Sequence, residues 1–242
     1  MKLKKFIVPF MDDKRMIYAK DYLEKQGFEY TDNSETADFV VLPVPAKKDM
    51  FFGLKDKIVF HGMGDYKNGF DYMQYESYVL KNAFLTSEGA VTLLEENTSY
   101  SLYRAKVLII GYGRIGKSLH SILKGYGADI TVCSRSKASK DEAIFNGAKH
   151  INFEQLKADN QADIIINTVP HMVLTKAELS AVKKDSVILD LASFPGGVDT
   201  LVADSMGLRV LNGRRMPSRY TEKTAGYLIG EAVSDIIEEE LT

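Results

Sequence analysis

The chain has 242 residues, 45% hydrophobic and 26% charged, with a formal net charge of −2. That length accommodates two modest domains with their own cores, and the near-neutral charge leaves no electrostatic footprint for nucleic acid or an anionic membrane. No stretch reaches the roughly 18 apolar residues of a membrane span, no signal peptide precedes the fold, and Cys133 is the only cysteine, so a cytoplasmic protein without intrachain disulfides is expected.

In chain order, Met1-Lys2-Leu3-Lys4-Lys5-Phe6-Ile7-Val8 runs into a strand from Phe6 to Pro9. A helix is predicted from Asp13 to Gly27, on the spacing of Met16, Ile17, Ala19 and Leu23. Phe39 to Leu42 and Ile58 to Phe60 read as short strands, with Leu42-Pro43-Val44-Pro45 marking a strand exit. The aromatic segment Tyr72 to Tyr78 reads as core or a domain contact, because no basic patch accompanies it. A second helix is predicted near Thr86, with Ser87 and Glu88 as cap and first turn and one apolar face from Ala90, Val91, Leu93 and Leu94.

The apolar run Val107-Leu108-Ile109-Ile110 then meets Gly111-Tyr112-Gly113-Arg114-Ile115-Gly116, followed by a helical pattern. Strand, Gly-x-Gly-x-x-Gly and helix in that order make a dinucleotide-binding turn. Gly111 permits the tight strand exit, Gly113 lets backbone approach a pyrophosphate, and Gly116 brings the helix close to the strand. The phosphates would sit against the helix N-terminus, near Arg114 and Ile115. The next strand, 129–133, should end in an acidic residue if the adenosine ribose hydroxyls of NAD are bound. Here it ends in Ser134-Arg135-Ser136-Lys137. Arg135 can grip a 2′-phosphate and the two hydroxyls can donate to it, so the expected cofactor is NADP.

Further strands are predicted at 106–110, 163–167, 187–190 and 208–211, with helices near 115–126, 138–147, 153–158, 175–182 and 199–206. Gly125 and Gly127 end the first of these helices, and Gly147 and Gly207 end later ones. The alternation predicts an α/β fold: a doubly wound parallel sheet, the Rossmann dinucleotide-binding domain, beside a smaller N-terminal α/β domain. The expected limits are 1–85 for the N-terminal domain, 86–102 for a bridging helix, 103–213 for the NADP-binding domain, and 214–242 for a C-terminal segment. The helix in that segment, Thr221 to Glu240, is expected to pack back over the first domain and to fray at Glu238-Glu239-Glu240. Two bridging segments imply a cleft.

Thr168, Val169 and Pro170 follow an apolar strand at its carboxyl end, where ligands of open sheets bind, so they should border the ribose or nicotinamide. His171 lies beside them at a depth suited to proton transfer, or is merely exposed. Ser193, in Asp190-Leu191-Ala192-Ser193-Phe194-Pro195-Gly196-Gly197, faces either the nicotinamide and substrate or only a structural turn. Asp190 is expected to accept loop N–H bonds. Arg214, Arg215, Arg219 and Lys223 offer a carboxylate clamp or a solvated face. Candidate acid–base residues are Glu88, His171, Ser193 and Lys223. No metal-ligand spacing or serine-hydrolase elbow is present, and His61, His120, His150 and His171 are scattered.

Leu42-Pro43-Val44-Pro45, Asn82-Ala83-Phe84-Leu85-Thr86-Ser87-Glu88-Gly89, the glycine turn, Ile166-Asn167-Thr168-Val169-Pro170, the 190–199 segment and Lys223-Thr224-Ala225-Gly226 occur in one order. Together they resemble the family formed by the A subunits of dipicolinate synthase. The resemblance implies an NADP-linked oxidoreductase acting on a cyclic, partly reduced pyridine dicarboxylate from the lysine pathway during sporulation. It also implies, for its partner, a flavoprotein-like B subunit; a homo-oligomer is expected separately, because cleft enzymes of this layout are often dimers or larger. Phe194 stands where the family commonly has arginine, and Gly213-Arg214-Arg215-Met216-Pro217 replaces a glycine- and proline-rich loop. A D-2-hydroxyacid dehydrogenase and a catalytically silent dinucleotide-binding scaffold or sensor are the alternatives.

Overall fold

The computed structural model describes residues 3–54, 57–66, 69–158 and 161–241. Met1 and Lys2, read above as the lead into the first strand, lie outside the described residues. The chain divides into two compact units, Met1–Leu85 with Pro217–Thr242, and Thr86–Met216.

The first unit holds β1 (Lys5–Ile7), α1 (Lys14–Lys25), β2 (Glu29–Tyr30), β3 (Phe39–Val41), β4 (Ile58–His61) and β5 (Gly69–Asp71). Its five strands are parallel, in the order β2-β1-β3-β4-β5. Asp13 caps α1, its carboxylate accepting the Arg15 N–H at 3.1 Å. Phe6, Phe39, Phe60 and Phe70 form an aromatic row across the strands, with successive centroids 5.6, 5.5 and 5.4 Å apart; each such pair adds about 1 kcal/mol to its area burial. Tyr72 and Tyr78 are buried in this core, and the Tyr72 hydroxyl donates to the Leu42 carbonyl at 3.0 Å.

The helix expected from Thr86 starts ten residues earlier, as α2 (Glu76–Asn97). Ser87 and Glu88 therefore stand inside it, not at a cap, because buried Tyr78, Ala83 and Leu85 extend the apolar face upstream. α2 also stops at Asn97, short of the 102 expected.

The second unit continues with β6 (Lys106–Ile110), α3 (Arg114–Gly125), β7 (Asp129–Cys133), α4 (Lys137–Phe145), β8 (Lys149–Ile151), β9 (Ile164–Asn167), α5 (Lys176–Leu179), β10 (Val187–Asp190), α6 (Thr200–Ser205) and β11 (Arg209–Asn212). All six strands are parallel, in the order β11-β10-β9-β6-β7-β8. Chain order reverses between β6 and β9, the switch point at which open α/β sheets bind ligands. The helix expected at 153–158 is a 3-10 segment, Phe153–Lys157, closed by a capping box between Asn152 and Gln155. That expected at 175–182 is the single turn of α5. Strands β2, β5 and β8 escape sequence reading because their two or three residues, unlike those of β1 and β3, belong to no continuous apolar run.

α7 (Met216–Tyr220) and α8 (Glu222–Glu240) end the chain. In the first unit α8 lies on α1, where Gly226 and Gly230 allow close approach. A Cβ on Gly226 would collide with the Arg15 carbonyl oxygen, and one on Gly230 would come within 2.8 Å of Tyr22 Cβ. α8 runs to Glu240, whose Oε1 accepts from the Tyr75 hydroxyl at 3.5 Å.

Candidate functional site

At the switch point β6 ends in the glycine turn. Gly111 has φ +94°, and a Cβ there would collide with Thr168 Oγ1 and approach Val169 Cγ2 to 3.0 Å. Only glycine fits both the left-handed backbone and the space. A Cβ on Gly116 would collide with the Gly111 carbonyl oxygen, so this glycine seats α3 against the turn. Gly113, by contrast, caps α3 without a side chain and faces open space within 4 Å. That opening is the approach a pyrophosphate needs, and the adjoining residues Arg114 and Ile115 begin the helix. The residues present fit a dinucleotide.

Several supports of this turn leave little trace in the sequence. The Tyr112 hydroxyl lies 2.7 Å from His120 Nδ1, with both residues buried, which ties the turn to its own helix. Burial lowers the His120 pKa from its ordinary 6.5 and raises that of Tyr112 from 10.0. Ser87 is 0% exposed and donates to the Ile115 carbonyl at 3.4 Å. Two residues on, Gly89 makes room for Met216. The motif around Ser87 thus packs the start of α3, while Glu88 is exposed on the outer face of α2.

The loops after β9 and β10 are joined by buried polar groups. Asn167 is 0% exposed; its Nδ2 donates to Asp190 Oδ1 at 2.8 Å and to the Val169 carbonyl at 3.1 Å, and its Oδ1 accepts the Val169 N–H at 3.1 Å. Asp190 also accepts the backbone N–H groups of Gly197 at 3.1 Å and Ala192 at 3.3 Å. Its expected role of accepting loop N–H bonds is what the structure shows. Parallel register opposes Asp190 to Asn167, so the pair follows from strand alignment. Thr168 turns inward, its hydroxyl donating to the Ile110 carbonyl at 2.9 Å, while Pro170 is exposed.

Ser193, Phe194 and Pro195 are the exposed tip of the second loop. Arg214 grips that loop from inside, donating to the Pro195 carbonyl at 3.0 Å and the Ala192 carbonyl at 3.3 Å, and lies 5.8 Å from the centre of the Phe194 ring. A cavity of about 350 Å³ beside it is lined by Asp190, Pro195, Asn212 and Arg214. A larger one, about 410 Å³, opens at the amino ends of β6, β7 and β8, near Lys106, Asp129 and Lys149. Ligands of open parallel sheets bind at the carboxyl ends, so the smaller cavity is the relevant one.

Ser134 is buried, and its Oγ lies 3.0 Å from His150 Nε2. Arg135 and Lys137 are exposed. Ser136 caps α4, its hydroxyl accepting the Ser139 N–H at 3.0 Å and donating to Ser139 Oγ at 2.8 Å. Burial pushes the Cys133 thiol up to about 12, which makes it an inert strand residue. His171 is exposed after the first loop, its carbonyl oxygen facing Gly197. Lys223 belongs to the first unit, exposed on the opening turn of α8 and 5.9 Å from the Tyr227 ring centre. Among the described residues no cluster of three metal-binding side chains occurs, and no helix is long and apolar enough to cross a membrane.

Residues 76–193 match the D-isomer specific 2-hydroxyacid dehydrogenase, NAD binding domain family. Over 165 residues the chain is 31% identical to the A subunit of dipicolinate synthase from Bacillus subtilis (strain 168), a match covering 68% of this chain and 56% of that relative. The chain thus spans little more than half the length of that curated relative. Two solved structures superpose with a TM-score of 0.84 each. The dipicolinate synthase A subunit from Bacillus halodurans is 18% identical, covering 98% of both chains. Its counterpart from Bacillus subtilis is 23% identical, covering 99% of this chain and 97% of the other. In sequence and in fold the chain resembles the A subunit of dipicolinate synthase, and over residues 76–193 it is similar to the NAD binding domain of D-isomer specific 2-hydroxyacid dehydrogenases.

Proposed function

We propose that the chain is an NADP-dependent oxidoreductase that oxidises a cyclic, partly reduced pyridine dicarboxylate to dipicolinate, together with a flavoprotein-like second subunit. The observation that carries the coenzyme choice is the end of β7, where Ser134 stands in place of a carboxylate and the exposed cations Arg135 and Lys137 follow. A carboxylate there would repel a 2′-phosphate, whereas Arg135 attracts one. The bound nicotinamide supplies the hydride acceptor. The glycine turn holds the pyrophosphate against α3, and the loops joined by Asn167 and Asp190 border the reacting ring. Oxidation with loss of water yields an aromatic ring, which drives the reaction forward.

The substrate reading rests on the similarity to the dipicolinate synthase A subunit, and cytoplasmic action during sporulation as a homo-oligomer accompanies it. A D-2-hydroxyacid dehydrogenase is the second reading, favoured by the family match over residues 76–193. Against it, that chemistry uses a histidine near the end of the dinucleotide domain, and no histidine follows His171; Phe194, near the place of its arginine, departs from both patterns. The test is ultraviolet detection of dipicolinate from the freshly generated pathway intermediate, with NADP⁺, this chain and the second subunit. Product that requires both this chain and NADP⁺ is expected. No product, with NADP⁺ binding still present and the second subunit proven competent beside another A subunit, rejects the reading; NADH oxidation with 2-oxo acids then favours the second.

A further inference from the structure

In the sequence His150 is one of four scattered histidines, yet strand register gives it a specific place. Ile109 pairs with Val132, and Val132 with His150, so these three side chains share one face of the sheet. Ser134 follows the last residue of β7, and its contact with His150 places its hydroxyl on that face as well. It is the face covered by α3, since a Cβ on Gly116 would approach Ile109 Cγ2 to 3.7 Å. The Ser134–His150 contact therefore stands on the same side of the sheet as the glycine turn and the helix that follows it. Ser134 is 6% exposed, so its hydroxyl needs an internal partner, and His150 Nε2 at 3.0 Å provides one.

We propose that His150 is a positioning residue for the adenosine 2′-phosphate: its Nε2–H donates to Ser134 Oγ, leaving the Ser134 O–H to donate to the phosphate. A serine has one proton, and without a donor behind it that proton is as well spent on a neighbouring acceptor as on the ligand. With Nε2–H directed at one lone pair of Ser134 Oγ, the hydroxyl proton is turned away from His150 and is left for the ligand. Ser136 does not share this task, because its own proton goes to Ser139. The inference rests on the NADP reading and adds to it a residue that touches no coenzyme atom.

The experiment is calorimetric titration of 2′,5′-ADP and 5′-AMP into the full chain and three variants, Ser134→Ala, His150→Phe and His150→Gln. The wild type should bind 2′,5′-ADP at least tenfold more tightly than 5′-AMP. Ser134→Ala and His150→Phe should each lose about tenfold for 2′,5′-ADP, the scale of one hydrogen bond to a charged group, with 5′-AMP within about twofold. His150→Gln, which keeps a donor near the Nε2 position, should recover most of that loss. The double variant Ser134→Ala/His150→Phe should be no weaker than the weaker single variant. A wild type without preference for 2′,5′-ADP overturns the NADP reading and this inference with it. A preference that survives His150→Phe, or Ser134→Ala should His150→Phe fail to fold, overturns the role of His150 alone.

Discussion

Arg135 follows β7 with its side chain in solvent, and the sign of its charge separates the two nicotinamide coenzymes at this position. Arg135→Asp should weaken NADP⁺ binding about 100-fold, through one lost charge-assisted contact and a new repulsion, while NAD⁺ stays within about threefold. Fluorescence titration of both coenzymes measures this, and equal losses with the fold intact would sink the 2′-phosphate assignment. The other residue-scale prediction concerns the contact inside the glycine turn. Tyr112 can donate to His120 Nδ1 only while that nitrogen is unprotonated, and burial lowers the His120 pKa from 6.5. Below about 6.5 the unfolded chain takes up a proton that the folded chain resists, so stability falls as pH drops through that value. His61, buried in the first unit, is lowered in the same direction and contributes its own share. Between pH 7.5 and 5.5 the unfolding midpoint of the wild type should fall more than that of His120→Phe; parallel curves would show that His120 contributes nothing.

Among the elements, α8 is held by the absence of side chains as much as by their presence. Gly226 and Gly230 face α1, and neither has room for a Cβ. Gly226→Val should cost at least 1–3 kcal/mol, the range for overpacking a filled contact, read from urea unfolding. Gly125→Ala, with nothing within 4 Å of the added Cβ, should leave stability unchanged or slightly raised; a comparable loss there would show that helix glycines matter for some other reason. Long elements are legible in the sequence because the apolar residues of α8 and the five-residue strands β6 and β7 repeat often enough to show a period. The start of α2 is not. Ser87 next to Glu88 imitates a cap, and only tertiary burial shows that the helix runs through it. The glycine turn is legible because its parts are contiguous. The Asn167–Asp190 and Ser134–His150 pairs are not, because each joins two strands and exists only once the register is known.

For the whole molecule, the doubly wound parallel sheet of the second unit is legible from the alternation of strands and helices between 106 and 212. The five-stranded sheet of the first unit is only partly visible, since β2 and β5 are short and lack the apolar runs that mark β1 and β3. That unit is also discontinuous: β1 to β5 and α1 come from the first 85 residues, and α8 from the last part of the chain. The glycine seam between α1 and α8 thereby acquires a meaning in time. During synthesis α1 leaves the ribosome some two hundred residues before the helix that covers it, while everything the second unit needs has been made once Met216 is added. The unit begun first is thus the last that can be finished. Until α8 arrives, the buried Met16, Ala19 and Leu23 of α1 belong to an incomplete core, and a chain broken off after residue 216 leaves them so for good, exposing apolar surface to aggregation or to chaperones.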